Sequence, residues 1–443
     1  MPSLFQYKKW NNSLLKGSIP FEHSIFIYGT AGVFKTDSLA SSFQDFNKGF
    51  PKGVDNRNIQ SLTTTPSHDL WAISQSSLYR YDNLQGWKRH FSNINERLAD
   101  LTCKGDSLII LGRSHLYIAK PPYSDFQTLQ LNAPSNFEGK VTLFRTIWLI
   151  HSGELFGLVG KIIVDTLAVI LILLSITGIL YWLLPNYIKT LKRRGKRPKT
   201  SSNILKKSFI WHDKIGRYSI ILTLFLSFTG WCLRPPILLA LVSSQVSPIP
   251  GSSLDSTNPW NDKLRALRFD IDHQDWILSS SEGFYRLDHL QSIPEYLIQA
   301  PPVSVMGINV FTKHNSKEWL IGSFSGLFTW NRSSGTIKDY FTGDTPTTSK
   351  GAPFGKRAIA GYTKDLRNKH CIIEYDNGLD LIPMPKEFEH LPISLWNLAL
   401  EVHTGRIYTI LGQGTLFYIS FSGLIVIWIL ISGYIIRKRK RKE

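Results

Sequence analysis

The stretch HSGELFGLVGKIIVDTLAVILILLSITGILYWLL, residues 151–184, decides the fold class of this chain. Its larger part, Ile162–Leu184, holds one charged residue, Asp165, among 23 residues. Roughly 20 apolar residues carry a helix across a bilayer, whereas apolar runs of roughly 10–14 residues are typical of buried core helices. The stretch therefore predicts a transmembrane helix, and a histidine and three glycines come directly before it.

Two more apolar segments follow. The second runs from residue 218 to 242, and the third, which has no charge, runs from Thr415 to Ile436. Before the third stands EVHTGRIYTILG, residues 401–412, which repeats the His-Ser/Thr-Gly pattern of residues 151–153. We therefore predict three spans with their pre-span segments, over residues 146–184, 218–242 and 396–436.

Most of the excess positive charge lies beside these spans. The chain has 51 Lys+Arg and 33 Asp+Glu, a formal charge of +18; residues 189–217 and the tail 437–443 together hold 17 of the bases and 2 of the acids. Compact basic runs next to apolar segments are typical of membrane topology signals. They argue against nucleic acid as a partner and for the lipid bilayer.

The positive-inside rule orients the chain. It places the basic loop 185–217 and the tail 437–443 in the cytoplasm, and residues 1–145 and 243–395 outside it. The first residues, MPSLFQYKKWNNSLLKG, do not resemble an export signal. We therefore expect one further span to precede residue 1 in the full-length protein.

The two outer regions share a repeated pattern of strand, tight turn and strand that ends on an apolar–aromatic pair. The copies are IYGTAGVFKTD (27–37), WAISQSSLYRYD (71–82), IILGRSHLYIAK (109–120), WILSSSEGFYRLD (276–288), WLIGSFSGLFTWN (319–331) and CIIEYDNGLDLIP (371–383), the last of which departs by placing Asp380 in the pair. Successive apolar–aromatic pairs are 45 and 38 residues apart in the first half and 43 residues apart in the second. This spacing predicts one all-β, propeller-like or sandwich-like domain split by the first two spans. Two separate small β domains are the alternative. Trp71, Trp276 and Trp319 share one early strand position and are expected in the core.

The membrane segments resemble a known family. HSGELFGLVGKIIVDTLAVILILLSITGILYWL, WHDKIGRYSIILTLFLSFTG and EVHTGRIYTILGQG, together with SITG (175–178), SFTG (227–230) and the weaker LISG (430–433) inside the spans, are similar to the PepSY-associated transmembrane helix (PepSY-TM) family of bacterial inner-membrane proteins. The resemblance covers residues 145–245 and 395–440. It implies four spans in the full-length protein and a location in the inner membrane. The PepSY peptide-binding domain is not recognisable, and the outer repeats stand in its place.

Some members of that family resemble haem-bearing reductases that pass electrons to ferric siderophores. The residues themselves also suggest haem b, because haem iron takes axial imidazoles and a helix bundle supplies them. His151 and His403 precede spans of the same direction by similar distances, so we expect them at one depth, where they could hold one iron. Gly153 and Gly405 would let a flat macrocycle approach the backbone. His212 would contribute to an inner haem with a partner from the preceding span.

Other roles for these residues stay open at this point. The histidines could bind another metal or a proton, or they could be interfacial helix caps without a cofactor. The Ser-x-Thr-Gly motifs are expected to be packing notches between helices. Two functions follow: a haem-dependent membrane oxidoreductase that reduces a ferric chelate outside with an electron donor inside, or a non-enzymatic membrane protein whose outer β domain binds a ligand or a partner protein.

Overall fold

The computed structural model of the protein describes residues 6–90, 94–135, 137–304, 306–346, 355–405, 407–408 and 414–440. The chain divides into two compact units. Met1–Phe137 and Asn258–His403 form the first, here called the β unit. Glu138–Thr257 and Thr404–Glu443 form the second, here called the helical unit.

Antiparallel sheets in which consecutive strands pair build the β unit. In its described residues, five sheets have four strands: β1–β4 (Gly17–Phe21, Ser24–Gly29, Gly32–Thr36, Phe43–Asp45), β5–β8 (Ser61–Thr64, Leu70–Ile73, Leu78–Asp82, Gly86–His90), β9–β12 (Leu98–Lys104, Ser107–Gly112, Leu116–Ala119, Gln127–Leu129), β15–β18 (Leu264–Asp270, Asp275–Ser280, Gly283–Leu287, Glu295–Tyr296) and β19–β22 (Val310–Lys313, Trp319–Ser323, Gly326–Asn331, Thr336–Asp339). A sixth sheet pairs β23 (Ile359–Thr363) with β24 (Cys371–Glu374). Two short helices, α5 (Lys386–Glu389) and α6 (Leu395–His403), follow it.

The repeated sequence pattern forms the two middle strands of each four-stranded sheet. The turns of three of these hairpins end on a glycine with positive φ, at Gly32 (116°), Gly283 (136°) and Gly326 (145°). Backbone of that kind favours glycine, which has no Cβ to clash. The strand before each of these turns is wholly or almost wholly buried. Trp71, Trp276 and Trp319 are 0%, 4% and 3% exposed, so they are core residues as predicted.

The sixth sequence copy behaves differently. It supplies β24, but the residues after its turn form only an isolated bridge between Glu374 and Gly378. The N-terminal segment forms backbone hydrogen bonds with these residues instead. The Asn12 amide donates to the Tyr375 carbonyl (2.8 Å), and the Leu379 amide donates to the Lys9 carbonyl (2.5 Å). The first and last segments of the β unit are thus joined by backbone hydrogen bonds.

Apolar clusters between neighbouring sheets hold the β unit together. Each cluster draws on two sheets that follow one another along the chain, as with Ile277 of β16 and Trp330 of β21. The last cluster joins β24 and the segment after it to Leu15, Ile27 and Phe34 near the start of the chain. The first strands also pack pairwise, β1 on β5, β5 on β9, β9 on β15, and β23 on β1. The unit therefore needs residues from both of its chain segments to complete its core.

The helical unit is built from long helices. Its elements are β13 (Val141–Thr142) paired with β14 (Gln245–Val246), α1 (Leu143–Ser152), a 3-10 turn (Glu154–Phe156), α2 (Gly157–Arg193), α3 (Lys199–Cys232), α4 (Ile237–Ser243) and α7 (Gly414–Lys440). Among the described residues, three helices are long and apolar enough to cross a membrane: Glu154–Arg193, Lys199–Cys232 and Phe417–Ile435. Most of the basic segment 185–217 is itself helical, because α2 continues to Arg193 and α3 begins at Lys199.

Small residues bring α7 close to α3. The Trp231 indole N–H of α3 donates to the Ser420 carbonyl of α7 (3.1 Å). A Cβ on Gly423 would lie 2.8 Å from Cδ1 of the same indole, so the helix approaches the ring only because this position is glycine. Close approach through small residues is typical of helix packing in membranes.

Candidate functional site

His151 lies in the last turn of α1, where its helix is made to end. Thr142 caps the start of this helix by accepting a hydrogen bond from the Arg145 amide (3.3 Å). At the other end Gly153 takes the left-handed conformation (φ 76°), and its amide donates to the Ile150 carbonyl (3.2 Å). A left-handed glycine after the last turn is a common helix stop. The Ser-Gly that follows His151 is therefore the C-terminal signal of a short helix.

The space beside Gly153 is filled by its own chain. The backbone reverses after α1, and a Cβ on Gly153 would lie 2.4 Å from the Gly160 carbonyl oxygen. The contact is mutual, since a Cβ on Gly160 would lie 2.1 Å from the Gly153 oxygen. The Lys161 ammonium group adds an ion pair with Glu154 across the same turn (3.4 Å). These glycines let α1 and α2 meet backbone to backbone.

His403 occupies a similar local position in the β unit. It is the last residue of α6 and is exposed. Gly405, two residues later, has φ 74°, close to the 76° of Gly153 after His151. A Cβ on Gly405 would lie 2.8 Å from Cγ1 of Ile419. Each His-Ser/Thr-Gly motif is thus a helix end with the histidine in the last turn, where a partial positive charge is favoured.

The imidazole of His151 reaches α3. Its Nδ1 lies 3.2 Å from the Leu226 carbonyl oxygen and 3.2 Å from the Thr229 hydroxyl. The hydroxyl of Thr229 donates its single proton back to the same Leu226 carbonyl (2.9 Å). A carbonyl oxygen can only accept, so Nδ1 of His151 must carry the proton in this contact. In the neutral ring Nε2 then holds the lone pair.

Gly230 leaves space for the imidazole ring of His151. A Cβ at position 230 would lie 2.7 Å from Cε1 of His151, closer than real side chains approach. The Thr-Gly of SFTG therefore has two separate tasks. Thr229 contacts the ring nitrogen, and Gly230 leaves space for the ring edge. We call Leu226, Thr229 and Gly230 the His151 seat.

A second histidine meets the matching motif on the other long helix. Nδ1 of His212, on α3, lies 2.9 Å from the hydroxyl of Thr177 on α2. That hydroxyl lies 2.7 Å from the Leu173 carbonyl and 3.1 Å from the Leu174 carbonyl, so its proton has acceptors within its own helix. A Cβ on Gly178 would lie 3.5 Å from Cε1 of His212, an ordinary contact. We call Thr177 and Gly178 the His212 seat.

The third and weaker motif behaves differently. In LISG the Ser432 hydroxyl donates to the Ile429 carbonyl of its own helix (3.2 Å). In the described part of the chain, apart from the adjoining backbone of its own helix, no atom lies within 4 Å of a Cβ placed on Gly433. The two motifs that contain Thr-Gly contact a histidine, and the one that has Ser-Gly does not do so in the described residues. The sequence predicted that the two Ser-x-Thr-Gly motifs are packing notches and did not indicate this pairing.

A haem would need fewer side-chain ligands than a bare metal ion. Among the described residues, no group of three or more His, Cys, Asp or Glu side chains is placed to hold a metal ion. Haem needs only one or two axial side chains, and a ligating histidine commonly donates its other ring N–H to a second group. The contacts of His151 have that form. The pairing of His151 with His403, and that of His212 with an earlier span, stay predictions.

A cluster of charges in the β unit is a second group that sequence reasoning did not find. Asp270 is fully buried and accepts hydrogen bonds from Arg332 (2.5 Å), Trp319 (3.2 Å) and His273 (3.0 Å). Burial by itself raises the pKa of Asp270, but the hydrogen bonds from Arg332 and Lys313 outweigh it and bring the pKa to about 2. Arg332 also pairs with Asp275 (2.7 Å). The ion pairs are satisfied on both sides and tie β15–β16 to β21.

Comparison with solved structures gives distant matches, and 55 chains match in total. The extracellular domain of a two component system protein from B. thetaiotaomicron is 9% identical with a TM-score of 0.39; the match covers 85% of this chain and 33% of that one. PorZ of Porphyromonas gingivalis is 9% identical with a TM-score of 0.34; the match covers 85% of this chain and 37% of PorZ. The computationally designed Ika8 protein is 6% identical with a TM-score of 0.34; the match covers 85% of this chain and 98% of Ika8. The chain thus spans about a third of the length of the first of these proteins.

No curated protein matches the sequence. A family does match: the sequence model of the PepSY-associated TM region aligns with residues 138–441, which is more than half of the chain. This match contains the three candidate spans, both seats, and the motifs at His151 and His403. The chain is a membrane protein that belongs to the PepSY-associated TM region family.

Proposed function

We propose that this protein binds b-type haem in its helical unit and passes electrons outward across the bacterial inner membrane to a ferric chelate or siderophore. One observation carries the proposal. The Leu226 carbonyl and the Thr229 hydroxyl hold Nδ1 of His151 as a donor (3.2 Å each). The lone pair is then on Nε2, and the hydrogen bond at one ring nitrogen decides which nitrogen can bind a metal.

Electrons would need two haem sites at different depths to cross a bilayer. The His151 seat and the His212 seat would supply one each. His212 and Thr229 both lie on α3, and 17 residues separate their positions. At 1.5 Å per residue this corresponds to about 25 Å along the helix. In the proposal, His151 and His403 serve an outer haem and His212 serves an inner one. A bound haem supplies one-electron chemistry, and the chain's own residues orient the imidazoles and keep the proton on Nδ1.

The β unit is, in this proposal, a six-bladed propeller outside the cytoplasm. The pairwise packing of the first strands, from β1 on β5 to β23 on β1, supports it. So do the backbone bonds between the N-terminal segment and the last hairpin, such as Asn12 to Tyr375 (2.8 Å). Radial sheets that each contact two neighbours are the architecture of propellers. The positive-inside rule supports the outer location.

The direct test is an absorption spectrum of the full-length protein purified from membranes. We expect a Soret band that shifts on addition of dithionite and returns on addition of a ferric chelate. A His151→Ala variant that inserts normally should lose part of the absorbance. A colourless protein from cells supplied with haem contradicts the proposal.

One observation favours a second candidate function. Gly153 and Gly405 both sit at helix ends, and the backbone of Gly160 and the side chain of Ile419 occupy the space beside them. Such packing would suit a non-enzymatic protein whose helices only anchor a ligand-binding β unit. That candidate predicts a colourless protein and unchanged membrane insertion in the His151→Ala and His403→Ala variants.

A further inference from the structure

We propose that Thr177 and Thr229 are positioning residues that keep His212 and His151 protonated at Nδ1, so that Nε2 is the metal-binding nitrogen in each ring. This inference rests on the proposed haem function for its purpose, but the protonation of the rings can be tested without haem. It assigns a task to the Ser-x-Thr-Gly motifs that the known packing role of small residues does not include.

The first step concerns the threonine hydroxyl. A hydroxyl has one proton and two lone pairs. In both seats a carbonyl of the same helix lies within reach of that proton, Leu226 for Thr229 (2.9 Å) and Leu173 for Thr177 (2.7 Å). Hydroxyls of Ser and Thr in membrane helices commonly donate in this way. With its proton used, the oxygen faces the ring as an acceptor.

The second step concerns the ring. Nδ1 lies 2.9 Å from the Thr177 oxygen in His212 and 3.2 Å from the Thr229 oxygen in His151. An acceptor at this position stabilises the tautomer with the proton on Nδ1. Hydrogen bonds of this kind to a metal-binding histidine fix both its tautomer and its orientation, and losing them typically costs about 10–100-fold in metal affinity.

The two seats differ in a way that the experiment can use. His151 has a second acceptor at Nδ1, the Leu226 carbonyl (3.2 Å), which no side-chain substitution removes. Nδ1 of His212 makes its hydrogen-bonding contact with the Thr177 hydroxyl, a side-chain group that substitution can remove. Thr177→Val removes the acceptor and keeps the shape, and Thr177→Ser keeps the acceptor. Thr166 lies on the same helix and donates to Ile162 (2.7 Å), so Thr166→Val is the matched control.

The first readout is the tautomer in haem-free protein. Full-length protein labelled with nitrogen-15 histidine is placed in lipid nanodiscs at about pH 8, where histidine is largely neutral. Solid-state NMR separates protonated from unprotonated Nδ1, and the His212→Ala spectrum identifies the signal. We expect Nδ1–H in the parent, Thr177→Ser and Thr166→Val proteins, and a shift toward Nε2–H in Thr177→Val. A parent protein with Nε2–H, or no change in Thr177→Val, overturns the inference.

The second readout is haem itself, added to the same preparations. We expect Thr177→Val to lower the affinity of one haem about 10–100-fold, with Thr177→Ser and Thr166→Val close to the parent. Equal affinity and equal midpoint potential in Thr177→Val and the parent overturn the positioning role. A parent protein that takes up no haem overturns the proposed function instead, and the tautomer measurement then decides separately whether the seats hold Nδ1–H.

Discussion

Gly153 and Gly160 touch through their backbones at the point where α1 gives way to α2. A Cβ on Gly160 would lie 2.1 Å from the Gly153 carbonyl oxygen, and one on Gly153 would lie 2.4 Å from the Gly160 oxygen. His151 stands two residues before this contact, and its Nδ1 reaches Leu226 on α3 (3.2 Å). The glycine contact therefore sets the direction from which the histidine approaches its seat.

Substitution of Gly160 should disturb this geometry. In Gly160→Ala the new methyl group would meet backbone, which cannot move as a flexible side chain can, and overpacking of this kind typically costs about 1–3 kcal/mol. We expect a lower thermal unfolding midpoint in detergent and a shift of the nitrogen-15 NMR signal of His151. Gly433→Ala, with no described atom beyond the adjoining backbone of its own helix within 4 Å of its Cβ, is the control and should melt like the parent. Equal melting of the two variants would contradict the contact.

The predicted outer haem can be tested through its histidines. His151→Ala and His403→Ala should each remove the same haem while the protein still inserts in the membrane, because the sequence places both residues before spans of one direction. His212→Ala should affect only an inner haem. Haem content and redox titration of the purified variants give the answer. Unchanged haem content and midpoint potentials in all three variants would mean that these histidines do not bind haem and only occupy helix ends.

Gly230 offers a graded version of the same test. A Cβ there would lie 2.7 Å from the His151 ring, whereas one on Gly178 would lie 3.5 Å from the His212 ring. We therefore expect Gly230→Ala to change the spectrum and potential of the outer haem strongly and Gly178→Ala to have little effect on the inner one. A larger effect from Gly178→Ala would reverse this order and reject the seat geometry.

Asp270 should govern the acid stability of the β unit. Removal of one member of a buried ion pair typically costs about 3–5 kcal/mol, so Asp270→Asn should lower the thermal midpoint that tryptophan fluorescence reports. Asp272→Asn is the control, because its partly exposed pair with Lys313 (2.5 Å) should contribute about 0–1 kcal/mol.

The direction of the pH dependence follows from the pKa of Asp270, which is about 2 in the folded state. That value lies below the usual value of about 3.9 for an unfolded chain. The carboxylate therefore stabilises the fold fully above about pH 4, and this contribution is lost as the pH falls toward about 2. The melting point of the parent should fall more steeply than that of Asp270→Asn in this range. Parallel plots of melting point against pH for the parent and Asp270→Asn would show that Asp270 does not govern the acid stability.

The β unit should fold only when both of its chain segments are present. Leu15 and Phe34 share a cluster with Cys371 and Phe388, and Leu111 shares one with Leu267. Residues 1–145 or 255–395 expressed alone should be insoluble or unfolded, and the two joined by a short linker should give a cooperative β-type melt. Two halves that fold independently would rule out a single ring.

The membrane topology can be checked with reporter fusions. A reporter after Lys199 should be active only in its cytoplasmic form, because the eleven basic residues between Lys189 and Arg217 resist export. Fusions near Ser61 and Asp339 should report an outside location. Reversal of any of these results would overturn the proposed orientation.

The sequence by itself determined the elements that depend on local composition. Long apolar runs are needed wherever a helix crosses lipid, so the three candidate spans could be read directly from the chain. The same holds for the hairpins around Gly32, Gly283 and Gly326, since short apolar runs and turn residues are local signals. The buried tryptophans at positions 71, 276 and 319 followed from their shared place in the repeat.

Only the tertiary structure decided what the short motifs do. In sequence, SITG and SFTG look like packing notches, and the histidines that contact them are 35 and 78 residues away for Thr177 and Thr229. Nothing local indicates those partners, because a hydrogen bond between helices depends on how the helices cross. The same is true of Asp270 and Arg332, 62 residues apart, and of the N-terminal segment that takes the edge of the last hairpin. Such contacts arise from packing across the fold, and a pattern along the chain carries no record of the direction in which a side chain meets its neighbour.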